Sequence, residues 1–245
     1  MSVSLARRRL AQTSAVQNQI AIFRAALRLP QLRRIVGAFL LFSIGEWATW
    51  IGIIVYAYGR GGAAETGIVA GVMFLPSIVV APAASLLGDR LPRARVLAIG
   101  YAVQALAMGA TALALAAGPP LVAYVLATVS ATSITLTRPA HGALLPEIVG
   151  SPDELTVANV ASGTVEGLGA LIGPLVAGLL VGLSGPAAVF AATAGGAAVA
   201  SLAVTPIART ARALSNRPSA GSVGAVDGRG RRVEGGPQPV DPFAE

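Results

Sequence analysis

Two acids fall inside long apolar runs of the 245-residue sequence, and their neighbours decide what they could do. Glu46 lies about 11 residues into the run 35–58, roughly 16 Å at 1.5 Å per residue, near where a bilayer midplane would fall. Ser43, Glu46, Trp47 and Trp50 follow the i, i+3, i+4, i+7 spacing that places residues on one helix face. A carboxylate beside two indoles suits an amphipathic or cationic solute through charge and cation–π attraction. The same carboxylate, held in a low-dielectric medium, suits exchange with protons. Glu166, about eight residues into the run 158–183, is the second such acid, and Gln104 is a weaker polar candidate. The alternative for each acid is a structural bond to a neighbouring helix.

Other chemistries are short of residues. There are no cysteines and a single histidine, His141, so thiol catalysis, disulfides, a zinc site and a histidine relay are not expected. There is no lysine, hence no phosphate-binding loop of the G-x-x-x-x-G-K-[ST] type and no ATP hydrolysis of its own. No catalytic residue, metal or cofactor is expected, and the chain does not read as an enzyme.

The elements that must hold these acids are read from composition. Hydrophobic residues make up 54% and charged residues only 12%, with mean hydropathy +0.71. A soluble domain carries about 25% charge, so the membrane class remains. Six apolar stretches approach the length that crosses a bilayer: 35–58, 67–87, 96–117, 121–136, 158–183 and 187–204. Their connections are short except 137–157, in which Ser151, Pro152 and Glu154 form a helix start. All 18 basic residues are Arg, and by this reading all but Arg60 fall on one side of the membrane. That bias predicts both termini in the cytoplasm, and it makes the net charge of +7 a topology signal with no nucleic-acid partner implied. The expected organisation is a basic segment, 1–34, a six-helix transmembrane domain, 35–205, and a disordered cytoplasmic tail, 206–245. The fold class is an all-α membrane protein. An organelle transit peptide at 1–34 is the alternative, but the first apolar run lacks a small-residue cleavage site.

Three short stretches carry a resemblance. Residues 86–97 read L-L-G-D-R-L-P-R-A-R-V-L, an acid at a helix end followed by basic residues in a tight turn, able to bond a neighbouring helix terminus. Leu87, Asp89, Arg90, Arg93 and Leu97 match the signature loop of the major facilitator superfamily, G-x-L-x-D-R-x-G-R-R-x-x-L, with Ser85, Pro92 and Ala94 as departures. Residues 138–146, R-P-A-H-G-A-L-L-P, resemble a stretch after helix four of that family's drug and siderophore exporters. Gly169, Gly173, Pro174 and Gly178 resemble its antiporter motif, g-x-x-x-G-P-x-x-G-G, with Ala177 as a departure. Small residues four apart allow close helix approach, and Gly67 and Gly71 form another such pair. Helix packing without transport meaning is the other reading of these glycines.

The resemblance implies the amino-terminal six-helix half of a twelve-helix transporter, exporter-like, in the cell (inner or plasma) membrane. It also implies a solute site at the midplane, and for Arg138 a role in proton coupling; Arg138 near the cytoplasmic end reads equally as a topology charge. One bundle cannot rock against another, so the expected partners are the lipid bilayer, a small solute with protons, and a second six-helix half or a homodimer. The expected function is proton-coupled efflux by antiport. The competing readings are a truncated, non-transporting membrane protein that binds a partner through its helix faces, and a channel, for which no charged ring or filter segment is present.

Overall fold

The computed structural model describes residues 29–215, with side chains at 77, 79, 81–90 and 210–215 left undescribed. Expectations about residues 1–28 and 216–245 lie outside the described residues. Five helices follow in order: α1 (Pro30–Arg90), α2 (Arg93–Ala117), α3 (Pro120–Ile148), α4 (Pro152–Ser184) and α5 (Pro186–Ser215). Each contains a stretch long and apolar enough to cross a membrane. No strand occurs among the described residues.

The first and second expected runs share α1 because the stretch between them is almost wholly helical. Non-helical backbone occurs only at Gly61 and Gly62, the latter at φ +60°, a conformation that glycine adopts without the Cβ penalty. The break divides α1 into a first arm, 30–60, and a second arm, 63–90. Trp50 and Phe74 stand 24 positions apart in sequence, yet their rings lie 5.4 Å from centroid to centroid. A straight helix would separate them by about 36 Å, so the arms fold back on one another.

Helix starts follow their local chemistry. Proline occupies the first turn of α1, α3 and α4, where its missing N–H costs nothing. The start expected at Ser151 is present: the Ser151 hydroxyl accepts from the Glu154 N–H at 3.3 Å, and the Glu154 carboxylate accepts from the Gly150 N–H at 2.8 Å. Two helix ends run further than expected. The connection placed at 137–157 is helical as far as Ile148, through Pro139 and Pro146, and the tail placed from 206 onward is helical through Ser215, across Pro206. Outside water an unpaired backbone group is expensive, so the helix continues across a proline that removes a single donor. Burial helps: Ala140, Leu144 and Leu145 of α3, and Val204, Ile207 and Ala208 of α5, all enter one hydrophobic cluster.

Side-chain contacts fix the arrangement. Ser201 of α5 donates to the Ala98 carbonyl of α2 at 3.0 Å, and Phe39 of the first arm stacks on His141 of α3 at 3.9 Å. One core gathers Ile35, Phe39, Phe42, Leu97, Tyr101 and Leu144, and a second gathers Ile53, Met73, Met108, Ala127 and Phe190. Arg33, Arg34, Arg93 and Arg95, in the first turns of α1 and α2, and Arg209, six residues before the end of α5, lie at one end of the bundle, and Arg60 lies at the other.

Candidate functional site

Arg138, near the middle of α3, holds two carboxylates from two other elements. Its Nη2 donates to Glu46 Oε2 at 2.6 Å, and its Nη1 donates to Glu166 Oε1. The planar guanidinium presents a fixed fork of donors, so one side chain can bridge both acids. Arg138, expected just past the end of its apolar run, lies instead within the helix. The helix runs ten residues past it to Ile148, and the partner it meets is Glu46, inside the first arm. Its Cζ also stands 5.9 Å from the centre of the Phe42 ring.

This pair forms part of the wall of a cavity of about 620 Å³. Glu46, Trp47 and Trp50 contribute from the first arm, Met73 and Phe74 from the second, Ser130, Ile134 and Arg138 from α3, and Phe190 from α5. Glu46, Trp47 and Trp50 thus share a face as their spacing required. Ser43, on the same stripe, turns instead into the helix seam, fully buried. Gln104 is also buried and does not line this cavity; it shares a face of α2 with Tyr101 and Met108, which enter the two cores. Phe74, Phe190 and Met73 bore no mark in the sequence, because an apolar residue in an apolar run does not say which neighbour it faces.

The glycines of α4 set where Glu46 and Trp47 stand. A methyl added at Gly173 would sit 2.6 Å from Trp47 Cβ and 2.9 Å from the Ile44 carbonyl oxygen. One added at Gly169 would meet Ser43, with its backbone carbon at 2.8 Å. The first arm and α4 thus approach more closely than any side chain would permit. Gly178 does not belong to this seam: it is exposed and a methyl there meets nothing within 4 Å. Ala177, fully buried against Ala48 and Val189, takes the third place. Gly67 and Gly71 likewise meet open space. Pro174 lies inside α4 without ending it.

At the Arg-rich end, Arg93 Nη1 donates to the Ala143 carbonyl at 3.0 Å and its Nε pairs with Glu147 at 3.1 Å. The loop stretch 86–97 and the stretch 138–149 are thereby tied together, α2 to the last turn of α3. Leu97 is fully buried in the first core. The backbone is helical through Arg90, while the side chains of Leu87, Asp89 and Arg90 are outside the description. At the opposite end Tyr124 donates to Glu65, which also pairs with Arg60 at 3.7 Å. One turn below the bridging arginine, His141 Nε2 bonds Ser162 Oγ at 2.9 Å. No group of three His, Cys, Asp or Glu among the described residues could hold a metal ion.

The arrangement can bind. It offers an aromatic-walled cavity with charged groups in its wall, and a guanidinium that can release either of two carboxylates to a competing cation or proton. No curated protein matches the chain. The sequence model of the Major Facilitator Superfamily matches residues 35–240, most of the length over which these helices, motifs and charged groups are distributed, and the chain belongs to that superfamily of membrane transporters.

Proposed function

We propose that the chain is a proton-coupled exporter of small amphipathic solutes that works by antiport with a second six-helix unit, supplied by another chain or a second copy. The two arms of α1 and the helices α2–α5 then make six crossings, with both termini on the cytoplasmic side of the cell membrane, as the Arg distribution argues. The observation that carries the reading is Arg138 bridging Glu46 and Glu166 beside an aromatic cavity. Two carboxylates facing one guanidinium leave one negative charge unmatched when both are ionised. A proton or a cationic solute supplies the missing charge, and each displaces the other, so a proton gradient can bias the loading of the solute. Trp47 and Trp50 add apolar area and cation–π attraction.

The seam of Gly169, Gly173 and Ala177 keeps the first arm and α4 moving as one body, and Arg93 links α2 to α3 at the end proposed as cytoplasmic. The second reading is a membrane protein that binds a partner through its helix faces without transport.

The test is gradient-driven transport in proteoliposomes holding the full chain with its second unit. Glu46→Gln keeps shape and polarity and removes titration, so gradient-driven export should fall while solute binding survives in part. Undiminished transport by this variant removes Glu46 from the mechanism. No transport by the wild-type chain with any second unit supports the passive reading.

A further inference from the structure

At the Arg-rich end, away from the cavity, α2 and α5 form a groove of about 310 Å³. Its floor is Ala98, Ile99, Ala102 and Ala208, Ser201 and Thr205 lie along one side, and Arg95 and Arg209 flank it. Both arginines are exposed, and neither forms an ion pair with any described residue. Arg93, two residues away, is by contrast tied to Glu147 and the Ala143 carbonyl. The Ser201 and Thr205 hydroxyls donate to the Ala98 and Ser201 carbonyls, which leaves their lone pairs free and turns no donor into the groove. Ile99 is 41% exposed beside it, on the outer surface that a membrane protein turns to lipid.

From this placement we infer that the groove is a binding site for an anionic phospholipid of the leaflet at the Arg-rich end. The phosphate sits between Arg95 and Arg209, and an acyl chain lies along Ala98, Ile99 and Ala102. Two features commit the site to a lipid. A basic pair between membrane helices at their polar end matches an anionic headgroup. The floor running from that pair toward the hydrocarbon is apolar, which a free phosphate would not use. Occupancy would also join α2 to α5 where Ser201 already does, adding a headgroup contact to a helix pair that packs along much of its length.

The full chain in detergent, mixed with phosphatidylglycerol or with phosphatidylcholine and read by native mass spectrometry, tests the site. Wild-type protein should retain phosphatidylglycerol preferentially. The Arg95→Gln, Arg209→Gln double variant should weaken that retention by about thirtyfold, as expected for removing two headgroup contacts. Arg34→Gln removes a charge at the same end, outside the groove, and should leave retention unchanged. Ala102→Leu fills the floor while both arginines stay, and it too should expel the lipid. Equal retention of the two lipids, full retention by the double variant, or full retention by Ala102→Leu would overturn the proposal. Displacement of the lipid by millimolar inorganic phosphate would overturn it as well, since the acyl groove would then contribute nothing.

Discussion

Residues 43–48 of the first arm face two ways, and the two faces are built on opposite principles. Toward α4, Ser43 and Ile44 meet Gly169 and Gly173 with no room for a methyl group, and Ala48 packs on the methyl of Ala177. Toward α3, Glu46 and Trp47 meet a cavity of about 620 Å³ and an arginine that holds two acids. One face is fixed by backbone contact, the other by charge across open space. The tight face sets the depth and rotation of the helix, and the open face uses that setting to present a carboxylate and an indole. On the proposed function, the seam lets the first arm and α4 move together when Glu46 gains or loses a proton.

Substitutions can break this comparison, and the largest effect belongs to the seam. Gly173→Leu places a branched side chain against the Ile44 carbonyl and Trp47 Cβ, and should destabilise the protein by about 3 kcal/mol, the upper part of the range for overpacking. Thermal unfolding in detergent reads it, and unchanged stability would mean that α4 does not lie on the first arm. Next comes Arg138→Leu, which leaves Glu46 and Glu166 without their shared partner. Breaking a fully buried pair costs about 3–5 kcal/mol; here the side chains are 20–45% exposed, so about 2 kcal/mol is expected, with loss of transport. Adding Glu46→Gln and Glu166→Gln to Arg138→Leu should restore stability but not transport.

Smaller effects sharpen the contrast. The Arg93–Glu147 pair is about half exposed, so Glu147→Gln should cost about 0.5 kcal/mol and less at high salt. Gly178→Ala should stabilise by up to about 0.5 kcal/mol, because helix propensity favours alanine and the site is open. Opposite signs at Gly173 and Gly178, five residues apart, would locate the seam on α4 by measurement alone.

Much of the fold was legible because apolar length is a strong signal: every run expected as a span lies within a helix. The helix ends were less so. The stretch 137–157 reads as a connection and the chain from 206 as tail, but buried residues beside Pro139, Pro146 and Pro206 keep the helix going. In the site, the stripe of Glu46, Trp47 and Trp50 was legible from spacing, whereas the joining of two acids by Arg138 was not. It fell just past the apolar run 121–136, and only the fold shows the first arm, α3 and α4 converging there. Ala177 replaces Gly178 because a helix seam repeats every four residues, 169, 173, 177, and a fifth step turns away by about 100°.

The chain has two tryptophans, Trp47 and Trp50, and both line the cavity, so all indole emission comes from the proposed site. Titrating the full chain in detergent with a lipophilic phosphonium cation, while following that emission, therefore tests the central claim directly. The account predicts a saturable change that Glu46→Gln weakens by about tenfold, the equivalent of one charged contact, and that Gly178→Ala leaves alone. A change that never saturates, or one that Glu46→Gln leaves unaltered, would contradict it.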